Sequence, residues 1–287
     1  MQEAEKDRFH EELTTNNILR TGAQAGASQP DVEGVTEVLQ RVAARFAAQR
    51  DHGLYATIVE EILRQFYLDR VGREIWNQMK QATHDAFGND VNKYGGTAFL
   101  RGLADYWANG NHPHITLVGH SAGAIYACHF LQKAVELLPK EIQFDLVFLA
   151  PACTFQLFSE TLAICKQRIA GIRIFGMRDA VEQADPLVPS VSLVYPYSLL
   201  YFISGVLEDE PDTPLQGMQR YYSDQAPYTM KEVLDSLQYL NTFGAKSTVW
   251  SVVNAGDSLT SSATAHGGFY NDAPTLESLR YIISQGL

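Results

Sequence analysis

The sequence predicts an α/β protein with a mostly parallel sheet flanked by helices. A short apolar run leads into a glycine-rich turn at 119–123, and apolar residues at helical spacing follow up to position 134. Three further runs of aliphatic and β-branched residues lie at 144–150, 171–176 and 247–253. A strand that leads directly into a helix and is followed by further strands is typical of this fold class.

The turn after the first strand carries the pattern Gly119-x-Ser121-x-Gly123, which is typical of a nucleophile elbow. Glycines on both sides of the serine leave room for a strained backbone and for close packing of the next helix. The hydroxyl of Ser121 is then exposed, and the backbone N–H of Ala122 points toward an oxyanion that forms beside it. We expect the side chain of His120 on the opposite side of the turn. An ordinary glycine-rich turn is the alternative interpretation.

With strand, turn and helix in this order, the chain resembles the α/β-hydrolase superfamily, and within it the serine esterases and lipases, over about residues 97–287. The resemblance implies a carboxylate after a later strand and a histidine base after the last strand. His266 stands in the polar loop after the last strand-like run, and Asp179 follows the run that ends at Gly176. The implied triad is therefore Ser121, His266 and Asp179. It requires neither a metal nor an organic cofactor.

The choice of acid stays open among three carboxylates. Glu182 and Asp185 follow Asp179 at three-residue spacing and can share one face of a helical turn with it. The carboxylate that accepts the second ring N–H of His266 fixes its tautomer and stabilises the imidazolium. The other histidines precede the last strand and are therefore less suited to the role of base. A metal bound by the pair His112-x-His114 would need more ligands than its neighbourhood supplies. These other histidines are His10, His52, His84, His112, His114, His120 and His129.

Residues 1–96 lie outside the resemblance. A full hydrolase of this superfamily has several strands before the elbow and takes a second oxyanion donor from a loop after an early strand. Here residues 1–20 are polar and helix-compatible, 21–29 form a linker, and helical patterns extend from 31 to 49 and from 54 to 87. We predict a helical N-terminal region without the early strands.

Two explanations account for the absent strands. Either the chain is a late-starting version of a longer hydrolase, which we favour, or helices replace the early strands beside a smaller sheet. Both leave the elbow strand with an unpaired edge that needs a cover. The helical region, a second copy of the chain or another polypeptide can supply that cover, so we expect a homo-oligomer or a partner chain.

An insertion at about 187–243 separates the acid-bearing strand from the last strand. Its most apolar part, 193–207, contains Pro196 and Gly205 and is shorter than the roughly 20 residues of a membrane-spanning helix. One interpretation is a lid with an open aromatic surface, which favours an apolar acyl group in the substrate. The other is a helix packed on the core.

Composition favours a soluble enzyme with one large core. The chain has 287 residues, of which 46% are hydrophobic and 19% charged. A formal net charge of −11 argues against a nucleic-acid partner. The charged N-terminus lacks the apolar core of a signal peptide. The three cysteines, Cys128, Cys153 and Cys165, lack Cys-x-x-Cys spacing and indicate reduced thiols in a cytoplasmic setting.

Together these features predict a serine hydrolase that cleaves a small-molecule or lipid-like carboxylic ester. The alternative is a hydrolase-derived binding or scaffolding protein that keeps the elbow without a working oxyanion hole, because no early strand supplies the second donor. A weaker alternative is an acyltransferase, in which an alcohol instead of water accepts the acyl group.

Overall fold

The computed structural model describes residues 32–66, 72–187 and 195–287. Its helices are α1 (Val32–Ala47), α2 (Leu54–Phe66), α3 (Gly72–Asp85), α4 (Gly95–Ala108), α5 (Gly123–Leu137), α6 (Phe155–Cys165), α7 (Asp179–Glu182), α8 (Leu199–Phe202), α9 (Lys231–Asn241) and α10 (Ala273–Gln285). Its strands are β1 (Thr116–His120), β2 (Phe144–Leu149), β3 (Ile169–Met177), β4 (Thr248–Ser251), β5 (Val253–Asn254) and β6 (Thr260–Ser261). The helix-compatible start and the linker predicted before residue 32 lie outside the described residues.

Four strands form one parallel sheet in the order β1-β2-β3-β4, and β5 and β6 form a short antiparallel pair. β2 is buried along its whole length, and β3 is buried at every position except Ala170. Strands that are buried along their length are typical of a parallel sheet covered on both faces. The predicted class, an α/β fold with a parallel sheet flanked by helices, is therefore confirmed.

Helices α5 and α6 pack side by side, and their buried residues belong to the same hydrophobic core as those of the sheet. Helix α6 begins at a capped end, because Oγ1 of Thr154 accepts the N–H of Leu157 at 3.1 Å. Helix α9 packs on α6 from the far side. Fully buried aromatic side chains fill the core between these elements: Phe144, Phe148, Phe155, Phe158, Phe175 and Phe269. No helix among the described residues is long and apolar enough to cross a membrane.

β1, the strand before the elbow, lies at the edge of the sheet. It pairs only with β2, from Thr116 opposite Asp145 to His120 opposite Leu149. The described residues before Thr116 form helices and no strand. The side chain of Val118, in the middle of β1, is 44% exposed. The elbow therefore follows a strand with one open edge.

A buried cluster of charges ties the N-terminal helices to the insertion. The ring of His52 lies between two carboxylates, with Nδ1 2.8 Å from Oε1 of Glu60 and Nε2 2.9 Å from Oδ1 of Asp212. Arg45 lies 2.7 Å from Glu60, and Arg50 lies 3.0 Å from Asp212. Because Asp212 belongs to the insertion, these contacts fix the insertion against α2.

The apolar part of the insertion is packed into the core over its described residues, 195–207. Tyr195, Leu200, Tyr201 and Ile203 are each at most 2% exposed. Two of its four rings do not form the open aromatic surface expected of a lid, because Tyr195 bonds to Glu60 of α2 and Tyr201 packs on His52, whereas Tyr197 and Phe202 are partly exposed. The described part of this segment therefore fits the other interpretation, a segment packed on the core.

Candidate active site

Ser121 occupies a strained turn between β1 and α5. Its φ of +54° is unusual for a residue with a side chain. Its N–H donates to the carbonyl oxygen of Leu149 at 3.0 Å, and its own carbonyl accepts the N–H of Ala152 at 3.1 Å. These two bonds anchor the strained residue to the end of β2. The side chain of Ser121 is thereby presented at the carboxyl end of the sheet, where ligands bind in α/β folds.

Only one of the two flanking glycines is required by close packing. A Cβ on Gly119 would lie 2.7 Å from the carbonyl carbon of Gly123, so strand and helix approach too closely there for any larger residue. A Cβ on Gly123 would meet nothing within 4 Å. The expectation that Gly123 gives room for helix packing is therefore wrong, because its missing side chain faces open space.

The structure brings His266 to Ser121. Nε2 of His266 lies 3.0 Å from Oγ of Ser121, which is hydrogen-bonding distance. His266 begins a short 3₁₀ turn, His266–Gly268, and is only 6% exposed. Burial, followed by the charge of the neighbouring His120, lowers the pKa of His266 to about 4. At neutral pH the imidazole is therefore uncharged and able to accept a proton.

His120 does not point away from the base as expected from the sequence. Its Nε2 lies 3.0 Å from the carbonyl oxygen of His266, and the two ring centroids are 5.2 Å apart. The expectation is wrong because the loop that carries His266 crosses the end of β1 and meets the side chains on this side of the turn. The only signal for this contact in the sequence is that His120 directly precedes Ser121.

Asp179, the acid favoured from the sequence, is not joined to His266. Its Oδ1 accepts the hydroxyl of Tyr201 at 2.6 Å, and its Oδ2 accepts the amide of Gln183 at 2.8 Å. Helix α7 begins at Asp179 and turns this carboxylate toward α8. One oxygen is therefore bonded to the insertion through Tyr201, and the other is bonded to Gln183 just after α7.

Glu182 is fully buried and unlike an ordinary carboxylate. The hydroxyl of Ser198 donates to its Oε2, and its Oε1 has no hydrogen-bond partner among the described residues. Burial raises the pKa of Glu182 to about 8, the bond from Ser198 opposes that rise, and the nearby charges of Asp185 and Asp179 add to it. Glu182 is therefore largely protonated at pH 7.

Asp185 is the carboxylate that contacts His266. Its Oδ2 accepts the backbone N–H of His266 at 2.7 Å. The ring Nδ1 of the same histidine is buried and has no hydrogen-bond partner among the described residues. Burial raises the pKa of Asp185, while the bond from His266 opposes the rise. Of the three candidate acids, Asp185 alone bonds to His266 in the described part of the chain.

Ala122 keeps the position expected of an oxyanion donor. It has helical dihedrals, φ −62° and ψ −16°, directly before α5. Its N–H makes no hydrogen bond within the described residues, whereas the N–H of Ser121 is used by Leu149. The amino end of a helix favours negative charge, so this N–H suits a developing oxyanion.

A cleft of about 330 Å³ opens at the first turns of α5 and α6. Ile125, Thr154 and Leu157 line it, whereas Ser121 and His266 do not. Its volume is at the lower end of the range for small-molecule sites. Charged and polar side chains complete its wall: Lys80, Gln156, Glu160, Glu208, Asp209, Glu210 and Thr213.

Other chemistry-bearing groups lie apart from this centre. The described residues contain no cluster of three or more histidine, cysteine or acidic side chains that is arranged to hold a metal. The thiols of Cys128, Cys153 and Cys165 are buried and free. Burial raises the pKa of Cys153 and of Cys165, to about 12 in the latter, so these thiols are poor nucleophiles.

Comparison with models of protein families, with curated proteins and with solved structures finds no match in any of the three. The fold shows an α/β protein with four parallel strands. Its activity has to be argued from the site itself.

Proposed function

We propose that the protein is a serine hydrolase that cleaves carboxylic esters. The observation that carries the proposal is the 3.0 Å contact between Oγ of Ser121 and Nε2 of His266, formed at a turn where the serine has a positive φ. A hydroxyl is a weak nucleophile unless an adjacent base accepts its proton. The uncharged imidazole of His266 fits that role.

The reaction follows from these positions. Oγ of Ser121 attacks the ester carbonyl while His266 takes its proton, and the oxyanion receives the N–H of Ala122. The tetrahedral intermediate collapses, the alcohol leaves with the proton from His266, and an acyl-serine remains. Water then attacks the acyl-serine with His266 as the base, which releases the acid and restores the hydroxyl.

We assign the orienting carboxylate to Asp185 in place of Asp179. Asp185 already holds the backbone N–H of His266, and Nδ1 of His266 is buried without a hydrogen-bond partner among the described residues. An unsatisfied buried donor is costly, so a bond from Nδ1–H to this carboxylate would be favourable. A carboxylate there fixes the tautomer in which Nε2 accepts the proton of Ser121.

The acyl group of the substrate remains a prediction from the sequence. Of the aromatic side chains that favoured an apolar acyl group, Tyr195 and Tyr201 are buried in the core, whereas Tyr197 and Phe202 are partly exposed. The cleft beside Ile125 is not lined by Ser121 or His266, so its volume sets no limit on the acyl chain. A panel of p-nitrophenyl esters of graded chain length measures the preference directly, and a higher kcat/KM for longer acyl chains would support an apolar acyl group.

Labelling with a fluorophosphonate tests the proposed function. The probe should modify wild-type protein, and it should also modify Ser223→Ala, which removes an exposed hydroxyl elsewhere. Ser121→Ala should stay unlabelled while keeping the wild-type circular dichroism spectrum. A folded wild-type protein that takes up no label would overturn the proposal.

The unpartnered Nδ1 of His266 and the one identified oxyanion donor favour a second candidate, a binding protein that retains the elbow. In that case the protein would bind an ester without turnover. Calorimetric binding of a p-nitrophenyl ester that is not hydrolysed would support it, whereas release of p-nitrophenol that depends on Ser121 excludes it.

A further inference from the structure

We propose that His120 is a positioning residue that clamps the loop of His266 to the end of β1, through the hydrogen bond from its Nε2–H to the carbonyl oxygen of His266. The inference rests on the proposed function, in which His266 is the base for Ser121. It adds a residue that touches neither the substrate nor the transferred proton and acts by holding the base in place.

The loop that carries His266 contributes little rigidity of its own. Gly267 and Gly268 follow the base, and a Cβ on either would meet no atom closer than 3.8 Å. The turn is closed by the hydrogen bond from the N–H of Gly268 to the carbonyl of Ala265, at 2.8 Å. Glycine has a wider choice of backbone conformations than other residues, so contacts from outside the loop help to fix His266.

Two hydrogen bonds hold the backbone of His266, one at its N–H and one at its carbonyl oxygen. Asp185 accepts its N–H at 2.7 Å, and Nε2 of His120 lies 3.0 Å from its carbonyl oxygen. A carbonyl oxygen only accepts, so Nε2 of His120 carries the hydrogen in this bond. Because His120 precedes Ser121 directly in the chain, the bond ties the base to the strand that carries the nucleophile.

The same contact places the two imidazoles within range of each other's charge. Their ring centroids are 5.2 Å apart, and the ring of Tyr270 lies 6.2 Å from His120. A positive charge on His120 opposes protonation of His266, which is the step that the base has to perform. The contact therefore both holds the backbone of His266 and, in addition to burial, contributes to lowering its pKa.

Two substitutions separate the hydrogen bond from the bulk of the ring. His120→Phe keeps the ring without a donor, whereas the amide nitrogen of His120→Gln can replace Nε2–H. We expect kcat for a p-nitrophenyl ester to fall roughly tenfold to a hundredfold in His120→Phe, because a small misplacement of the base is costly. We expect His120→Gln to recover most of that loss, with KM nearly constant in both. His84→Gln, on an exposed side chain, is the control.

The pH profile gives a readout that a merely structural role would not change. In both variants the charge that opposes protonation of His266 is gone, so the acid limb of kcat/KM should move to higher pH. Only His120→Phe should also lose rate. An unmoved limb in both variants, or a His120→Gln as slow as His120→Phe, would overturn the clamp.

Hydrogen exchange of the peptide 262–272 tests the clamp without using catalysis. Exchange measured by mass spectrometry should be faster in His120→Phe than in wild type, and unchanged in His120→Gln and His84→Gln. Equal exchange in wild type and His120→Phe would also overturn the inference. If the wild-type protein neither hydrolyses esters nor reacts with fluorophosphonate, the proposed function fails, while this measurement still decides whether His120 holds the loop.

Discussion

Two buried histidines of this protein are used in opposite ways. Both ring nitrogens of His52 bond to carboxylates, those of Glu60 and Asp212, at 2.8 and 2.9 Å. His266 bonds to the hydroxyl of Ser121 through one nitrogen, and its other nitrogen has no partner among the described residues. The first histidine belongs to a buried charge cluster that joins two parts of the fold. The second is held by its backbone, so its ring can exchange a proton.

The difference extends to the titration of the two clusters. Burial by itself would raise the pKa of Glu60 and of Asp212, but the neighbouring His52 and the nearby arginines lower both. Around His266 the shifts run the other way, since burial lowers the pKa of the imidazole and raises that of Glu182. Charge is stabilised in one cluster and disfavoured in the other. Groups held in their neutral forms are typical of catalytic sites.

The largest effect is expected from removing the base. His266→Ala should lower kcat by about four to six orders of magnitude, because the serine then has no proton acceptor. Its free energy of unfolding should change by only about 1 kcal/mol, since no saturated network is broken. Steady-state ester hydrolysis and urea unfolding measure the two quantities. Retained hydrolysis in His266→Ala would remove this residue from the mechanism.

The next effect distinguishes the three carboxyl groups. Asp185→Asn should lower kcat by about two to four orders of magnitude, because an amide cannot stabilise the imidazolium. Glu182→Gln replaces a group that is already largely neutral at pH 7, and Asp179→Asn affects a carboxylate held by Tyr201. Both should stay within about tenfold of wild type in the same assay. A larger loss in Asp179→Asn than in Asp185→Asn would restore the assignment made from the sequence.

The buried charge cluster around His52 should contribute to the free energy of unfolding. His52→Leu leaves Glu60 and Asp212 buried without their shared partner, so it should lower the free energy of unfolding by about 3 to 5 kcal/mol. The folded fraction should keep a near-normal kcat. The midpoint of urea unfolding measures the loss, and His84→Leu on the exposed surface is the control. If His52→Leu were as stable as that control, the cluster would not hold the insertion in place.

A smaller effect concerns acidic pH. The pKa values of Glu60 and Asp212 are lowered on folding, so their contribution to stability is complete above the ordinary carboxyl pKa of about 4 and is lost as the pH falls below it. Urea midpoints measured between pH 7 and pH 3 should therefore decrease toward acid. The decrease should be shallower in Asp212→Asn, which lacks one of the two groups. Parallel curves for the two proteins would contradict this account.

The sequence predicted the parts of the site that depend on local pattern. The strand before Ser121, the helix after it and the three later strands follow from apolar runs with a regular period. The position of His266 was predicted from its place after the last strand, and its contact with Ser121 depends on the parallel order of the sheet. Which carboxylate contacts His266 could not be predicted, because Asp179 and the two acidic residues after it follow one another at equal spacing in the sequence.

What the sequence by itself determined is the α/β class, the elbow at Ser121 and the absence of strand-like patterns before it, since each is encoded in neighbouring residues. The tertiary structure decided which carboxylate contacts His266, that His120 faces His266, and that Tyr195 and Tyr201 are buried. These depend on contacts between residues far apart in the chain. Such contacts are set by how loops and the insertion pack over the sheet, which no local period records.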